Sequence, residues 1–248
     1  AGDQHKYQIR MFIFFALQWA ILALTLMGQP FLFKNPEFVC TLKSNSSIAF
    51  PCEATISTCA NTSITITPSP DSPETLTKSF NLYCDRAPLI AVVQATFFVT
   101  GAIGIVIFSY LADKIGRYII LAGSFSLTAV MMFTASFATA YGLFGALLAV
   151  CGVGINVFVT LCFISIAESS SNNKSRWVSS NCFPVNLGEI FRQISNILVL
   201  ICWALGEMLT APLAYAADSN WRQLCRYCVG LPLLIMITFY FWIYESPK

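Results

Sequence analysis

Hydrophobic and polar positions in this chain segregate over the length of whole helices rather than single turns. A bilayer core takes roughly 20 residues of helix at about 1.5 Å rise each, so runs of that length bounded by charged or turn residues predict membrane spans. Six such runs occur, at 11–33, 88–111, 118–138, 141–167, 194–217 and 224–244. The first is too long for a cleaved leader and lacks a small-residue cleavage site, so it reads as a span. Composition agrees: 56% of the residues are hydrophobic and 10% charged, against about 25% charged in soluble domains.

Charge and histidine content narrow the chemistry. A net charge of +2 is spread along the chain with no basic patch, which excludes nucleic acid as a partner. The single histidine, His5, lies in a polar N-terminal stretch. No Cys, His and carboxylate cluster has metal-ligand spacing, so no metal, no cofactor and no enzymatic activity is expected.

Orientation follows from Lys and Arg in the short connections. With a cytoplasmic N-terminus, the inside segments hold Lys6, Arg10, Lys114, Arg117, Lys174, Arg176, Arg192 and Lys248. The short outside connections then hold Arg222, with Arg226 at the start of the sixth span. Both termini are therefore expected in the cytoplasm.

Between spans one and two the composition turns to Ser, Thr, Asn and Pro, from Lys34 to Ala87. This segment reads as an extracellular loop or small ectodomain. It holds Cys40, Cys52, Cys59 and Cys84, and two glycosylation sequons at Asn45 and Asn61. An even number of cysteines in an oxidising compartment predicts two disulfides, with three pairings open. The expected organisation is residues 1–33 as cytoplasmic N-terminus and span one, 34–87 outside, 88–167 as spans two to four, 168–193 as a cytoplasmic loop, and 194–248 as the last two spans. A third sequon, at Asn173, then lies inside and unmodified.

The connection between spans two and three reads Ser109-Tyr110-Leu111-Ala112-Asp113-Lys114-Ile115-Gly116-Arg117. Gly116 suits a tight turn. Asp113 and Arg117 carry charges able to pair with neighbouring helix ends, a lock that holds one arrangement of a bundle and releases in another. This run resembles the loop signature of the major facilitator superfamily, with Ser109 at its first glycine. The cysteine- and sequon-bearing loop, Phe80-Asn81-Leu82-x-Cys84, Glu168, Asn220-Trp221-Arg222 and Glu245-Ser246-Pro247-Lys248 are similar to the organic cation/carnitine transporter family. Trp203-Ala204-Leu205-Gly206-Glu207-Met208 resembles a stretch in its invertebrate members. The resemblance covers nearly the whole chain but only the first half of the family pattern. It implies an all-α, polytopic fold: six transmembrane helices forming the N-terminal half of a major facilitator, with a cysteine-bearing extracellular loop, in the plasma membrane.

Polar groups in the spans are candidate ligands for an organic ion. Glu207 lies midway along span five and reads either as an electrostatic partner for a cation or as a protonated packing group. Gly152, Asn156, Val159 and Phe163 share one face of span four, and the resemblance aligns Asn156, Val159 and Phe163 with substrate-lining positions. Phe163 offers an aromatic face to a cation, whereas Val159 reads as packing. Gln18 and Gln94 are further polar candidates that serve equally well as links between helices. The gating set comprises Asp113, Lys114, Gly116, Arg117, Glu168, Arg192 and Glu245.

Three departures from the family pattern stand out. Leu148 occupies a position where the family carries arginine. Glu168 and Arg192 are separated by an enlarged segment, 169–190, that reads as an inserted loop or retained non-coding sequence. The chain ends at Lys248, where the family would enter its central loop and six further spans. Facilitators rock two six-helix halves about a site near the midplane, so the expected partners are a small organic ion, the bilayer, and a C-terminal six-helix half or a second copy. The expected function is transport of small organic ions, cations or carnitine-like solutes, by alternating access. The alternative is a truncated, non-transporting membrane protein acting through its glycosylated loop or by pairing with full-length relatives.

Overall fold

The computed structural model of the chain describes residues 2–43, 45–54, 56–60, 63–171, 187–217, 220–230 and 232–237. Helix α1 (Gly2–Met27) turns at Gly28 into the short α2 (Gln29–Leu32). After the loop come four long helices: α5 (Pro88–Ile115), α6 (Arg117–Ala135), α7 (Tyr141–Ser171) and α8 (Leu187–Ala216). A one-turn α9 (Trp221–Gln223) leads into a π-helix (Leu224–Gly230), followed by helical residues 232–237.

Among the described residues, four helical stretches are long and apolar enough to cross a membrane: Phe15–Leu32, Cys84–Ile115, Tyr141–Ser165 and Asn196–Ala216. The apolar part of α6, Ile119–Ala135, is shorter, and the predicted sixth span lies within the described residues only at 224–230 and 232–237. Burial separates the helices by role. In the α1 and α7 stretches 61% and 50% of residues are buried, against 17% and 22% in those of α5 and α8. The two poorly buried helices turn much of their apolar surface outward, which a membrane protein does toward lipid or another bundle.

α7 packs against both α5 and α6, and α8 packs along α1. Small residues set the α5–α7 distance. A β-carbon on Gly152 would lie 2.9 Å from the Phe97 ring, and one on Gly104 would lie 2.7 Å from Val153 Cγ1. Only glycine permits so close an approach. Thr100 Oγ1 crosses the same seam to donate to the Ala149 carbonyl at 2.8 Å. The core between α6 and α7 is aromatic, with fully buried Phe125 and Phe158 at 5.3 Å.

The loop differs from an all-α expectation by carrying a small sheet. Strands β1 (Phe38–Leu42), β2 (Asn45–Cys52) and β3 (Ile64–Pro68) form an antiparallel sheet in the order β2-β1-β3, with Cys40 opposite Phe50 and Ile66. The period-two run Ile64-Thr65-Ile66-Thr67 explains β3, because alternate side chains fall on alternate faces. Short helices α3 (Ile56–Ala60) and α4 (Leu76–Ser79) complete the unit. Of the three possible pairings, the structure has Cys40–Cys52 and Cys59–Cys84.

The loop unit is seated on the helices. Thr77 Oγ1 donates to the Phe33 carbonyl at 3.2 Å, and Trp221 donates through its indole N–H to Ser79 Oγ at 2.9 Å. The Trp221 ring is 1% exposed and packs between Phe80 and Phe144.

Candidate functional site

Three helices meet at one aromatic cluster that ends on a carboxylate. Trp19 of α1 is 3% exposed. It meets Phe163 of α7 edge-on at 4.6 Å and Trp203 of α8 edge-on at 5.4 Å. Trp203 donates its indole N–H to Glu207 Oε1 at 2.6 Å. Spacing explains the last contact, since residues four apart stack on one helix face. Glu207 lies one residue past the centre of the apolar stretch Asn196–Ala216. Phe163, Trp203 and Glu207 are each half-buried, so the cluster keeps open surface for a ligand.

The backbone fixes this geometry. Glu207 follows Gly206, where α8 lies directly against α1: a β-carbon there would run into the Ala20 carbonyl and lie 2.9 Å from Ala23 Cβ. This close contact holds Glu207 and Trp203 at a set height against Trp19. A carboxylate and three aromatic rings then share a single wall, an arrangement suited to an organic cation through charge and ring quadrupole together.

Other predicted ligands are placed differently. Asn156 donates to the Gly152 carbonyl of its own helix at 2.8 Å and packs over Gly101 of α5, so its amide serves the α5–α7 seam. Gln18 is fully buried beside Trp19. Gln94 lines a separate cavity of about 440 Å³ with Phe33, Asn35, Leu82, Tyr83 and Ile90, between the disulfide-linked loop and the start of α5. Val159 is half-buried and packs against the core.

The Asp113–Arg117 segment is helical rather than a loop. α5 runs through Ile115, and Gly116 alone separates it from α6, at φ 119° and ψ 132°. Arg117 Nη2 meets Asp113 Oδ1 at 3.2 Å, so these two charges pair within the motif. Lys114 Nζ lies 4.6 Å from the centre of the Tyr110 ring. Glu168 and Arg192 lie on the backbones of α7 and α8, but their side chains are not among those described; Glu245 lies outside the described residues altogether. Asn45 opens β2 opposite Leu42, and Asn61 is outside the described residues.

Two contributions escape a reading of the sequence. Trp19 is the hub of the cluster, yet in an apolar run a tryptophan gives no sign of which way it faces. The Trp203 to Glu207 spacing of four was the one local signal available. At the far end of the bundle, Arg222 donates to the Ser136 and Ala138 carbonyls, both at 3.1 Å. Arg226 donates to Ser136 Oγ at 3.2 Å and covers the Phe137 ring.

Known proteins match most of the chain. A family described as sugar (and other) transporter matches residues 38–248. Solute carrier family 22 member 6 of Mus musculus is 26% identical over 179 residues, covering 71% of this chain and 29% of that protein. Organic cation transporter 1 of Caenorhabditis elegans is 26% identical over 175 residues, covering 71% of this chain and 27% of the relative. Organic anion transporter 3 of Sus scrofa is 25% identical over 175 residues, covering 71% and 29%. The chain thus spans less than a third of the length of these relatives.

Proposed function

We propose that this chain, which belongs to the sugar (and other) transporter family and to the organic cation transporter-like members of the major facilitator superfamily, carries small organic cations across the plasma membrane. It does so as one six-helix wall of an alternating-access carrier, completed by a second six-helix half or a second copy. Both termini are cytoplasmic in this reading, and the cysteine-bearing loop is extracellular.

The names of the relatives divide between organic cations and organic anions. The side chains on the wall favour the cation. Glu207 is the observation that carries the reading: a half-buried carboxylate near the centre of an apolar stretch, beside Trp203, Trp19 and Phe163. A carboxylate at that depth is costly unless a cation or a donor matches it. An organic cation gains both the charge and the ring faces, the latter worth roughly 0.5–2 kcal/mol each. The Asp113–Arg117 pair stands at one end of the bundle, where its making and breaking with Glu168, Arg192 and Glu245 would gate access.

The test is uptake of radiolabelled tetraethylammonium by cells bearing the chain at their surface. Glu207→Gln should lower uptake at least tenfold with surface abundance unchanged, while unchanged uptake would remove Glu207 from the site. No uptake by the wild-type chain, despite surface delivery, would favour a non-transporting role through the extracellular loop.

A further inference from the structure

We infer that Trp203 is a specificity-determining residue that makes the site accept an alkylammonium headgroup and reject a guanidinium. The inference rests on the reading of Glu207 as the cation's partner and adds what shape of cation that partner accepts.

A carboxylate recognises guanidinium best through two parallel N–H···O bonds, one to each oxygen, in a planar fork. At Glu207 one oxygen is already engaged. The Trp203 indole N–H reaches Oε1 at 2.6 Å, and the ring that carries it is held from behind by the edge contact with Trp19 at 5.4 Å. Trp203 therefore cannot swing away without breaking the chain of rings from α8 through α1 to Phe163 on α7. A guanidinium fork would have to share Oε1 with the indole or displace it. An alkylammonium needs no fork. It is attracted as a compact charge to the remaining oxygen, and its methyl or ethyl groups lie against ring faces.

The same geometry gives a direct test by equilibrium binding to the full chain in lipid nanodiscs, with two probes sharing one aromatic body: phenyltrimethylammonium and phenylguanidinium. The wild type should bind the trimethylammonium probe at least tenfold more tightly. Trp203→Phe keeps an aromatic ring, though a smaller one, and removes the donor, so phenylguanidinium should gain affinity and the ratio should fall below about threefold. Glu207→Gln should weaken both probes at least tenfold. A wild-type ratio near one, or a ratio unchanged in Trp203→Phe while Glu207→Gln still weakens both, overturns the role of Trp203 and leaves Glu207 as the cation partner. Absence of binding by either probe to the wild type, or no effect of Glu207→Gln, overturns both readings together. Size-exclusion profiles of the variants matching the wild type show that a changed ratio does not come from misfolding.

Discussion

Gly116 shows what a single residue decides. Its φ of 119° with ψ of 132° belongs to backbone space that other residues avoid, and it alone joins α5 to α6. No atom lies within 4 Å of an added β-carbon, so the cost of a side chain there is backbone strain alone. Gly116→Ala should lose about 1–3 kcal/mol, measured as a lower unfolding midpoint in detergent, whereas Gly123→Ala, a helical glycine with equally open surroundings, should not lower it. The need for glycine was legible in the motif. The length of the turn was not, because Leu111-Ala112-Asp113-Lys114-Ile115 contains few helix breakers and continues α5 to its last residue before the glycine. Glu207 was legible for a similar reason, since a carboxylate in an apolar run stands out on composition alone. Asn156 and Gln94 were lesser polar candidates in sequence; one folds onto its own helix and the other lines a cavity beside the disulfide-linked loop. Side-chain direction depends on packing between helices, which spacing along one helix does not encode.

Among elements, the end of α6 illustrates how a helix terminus is satisfied inside a bundle. The last carbonyls of any α-helix lack intrahelical donors; just past the end of α6 Arg222 serves two carbonyls, and Arg226 donates to the Ser136 hydroxyl. Arg222 spans the carbonyls of Ser136 and Ala138, while its guanidinium also lies over the Trp221 ring at 4.5 Å. Arg222 thereby fastens the start of the predicted sixth span to the end of α6 and, through Trp221, to the disulfide-linked loop. Arg222→Gln leaves at most one of the two carbonyls served and removes the positive charge from the helix C-terminus. With charged hydrogen bonds contributing about 1.5–3 kcal/mol each, the loss should be about 2–3 kcal/mol. Lysine, with its point charge and no planar fork, should recover only part of it. The fraction of monodisperse protein surviving a heating series in detergent measures both. Span positions followed from run length, and α5 and α7 begin where their runs do, at Pro88 and Tyr141. α8 begins seven residues before its apolar run, at Leu187. The polar turns that extend it, Gly188-Glu189 and Arg192-Gln193, carry helix-compatible residues without the hydropathy that marks a span.

At the scale of the molecule, one wall of aromatic and acidic side chains lies between helices that are themselves covered at one end by a cross-linked loop unit. Two disulfides hold that unit, Cys40–Cys52 between β1 and β2 and Cys59–Cys84 between α3 and the turn leading to α5. Such bonds persist in oxidising compartments. Lys and Arg bias in the short connections predicts the outside for the same segment by an independent principle. If both hold, the sequons at Asn45 and Asn61 meet the glycosylation machinery and the one at Asn173 does not. Asn45 opens β2 at the edge of the three-stranded sheet, since β1 occupies the centre of the order β2-β1-β3. An edge strand leaves room for a glycan where a central strand would not. The protein from cells should therefore drop in apparent mass on glycosidase treatment in two steps. Asn45→Gln and Asn61→Gln should each remove one, the double variant should remove both, and Asn173→Gln should remove neither. A glycosidase-sensitive shift that survives the double variant and disappears with Asn173→Gln would invert the orientation. It would turn the Asp113–Arg117 pair outward.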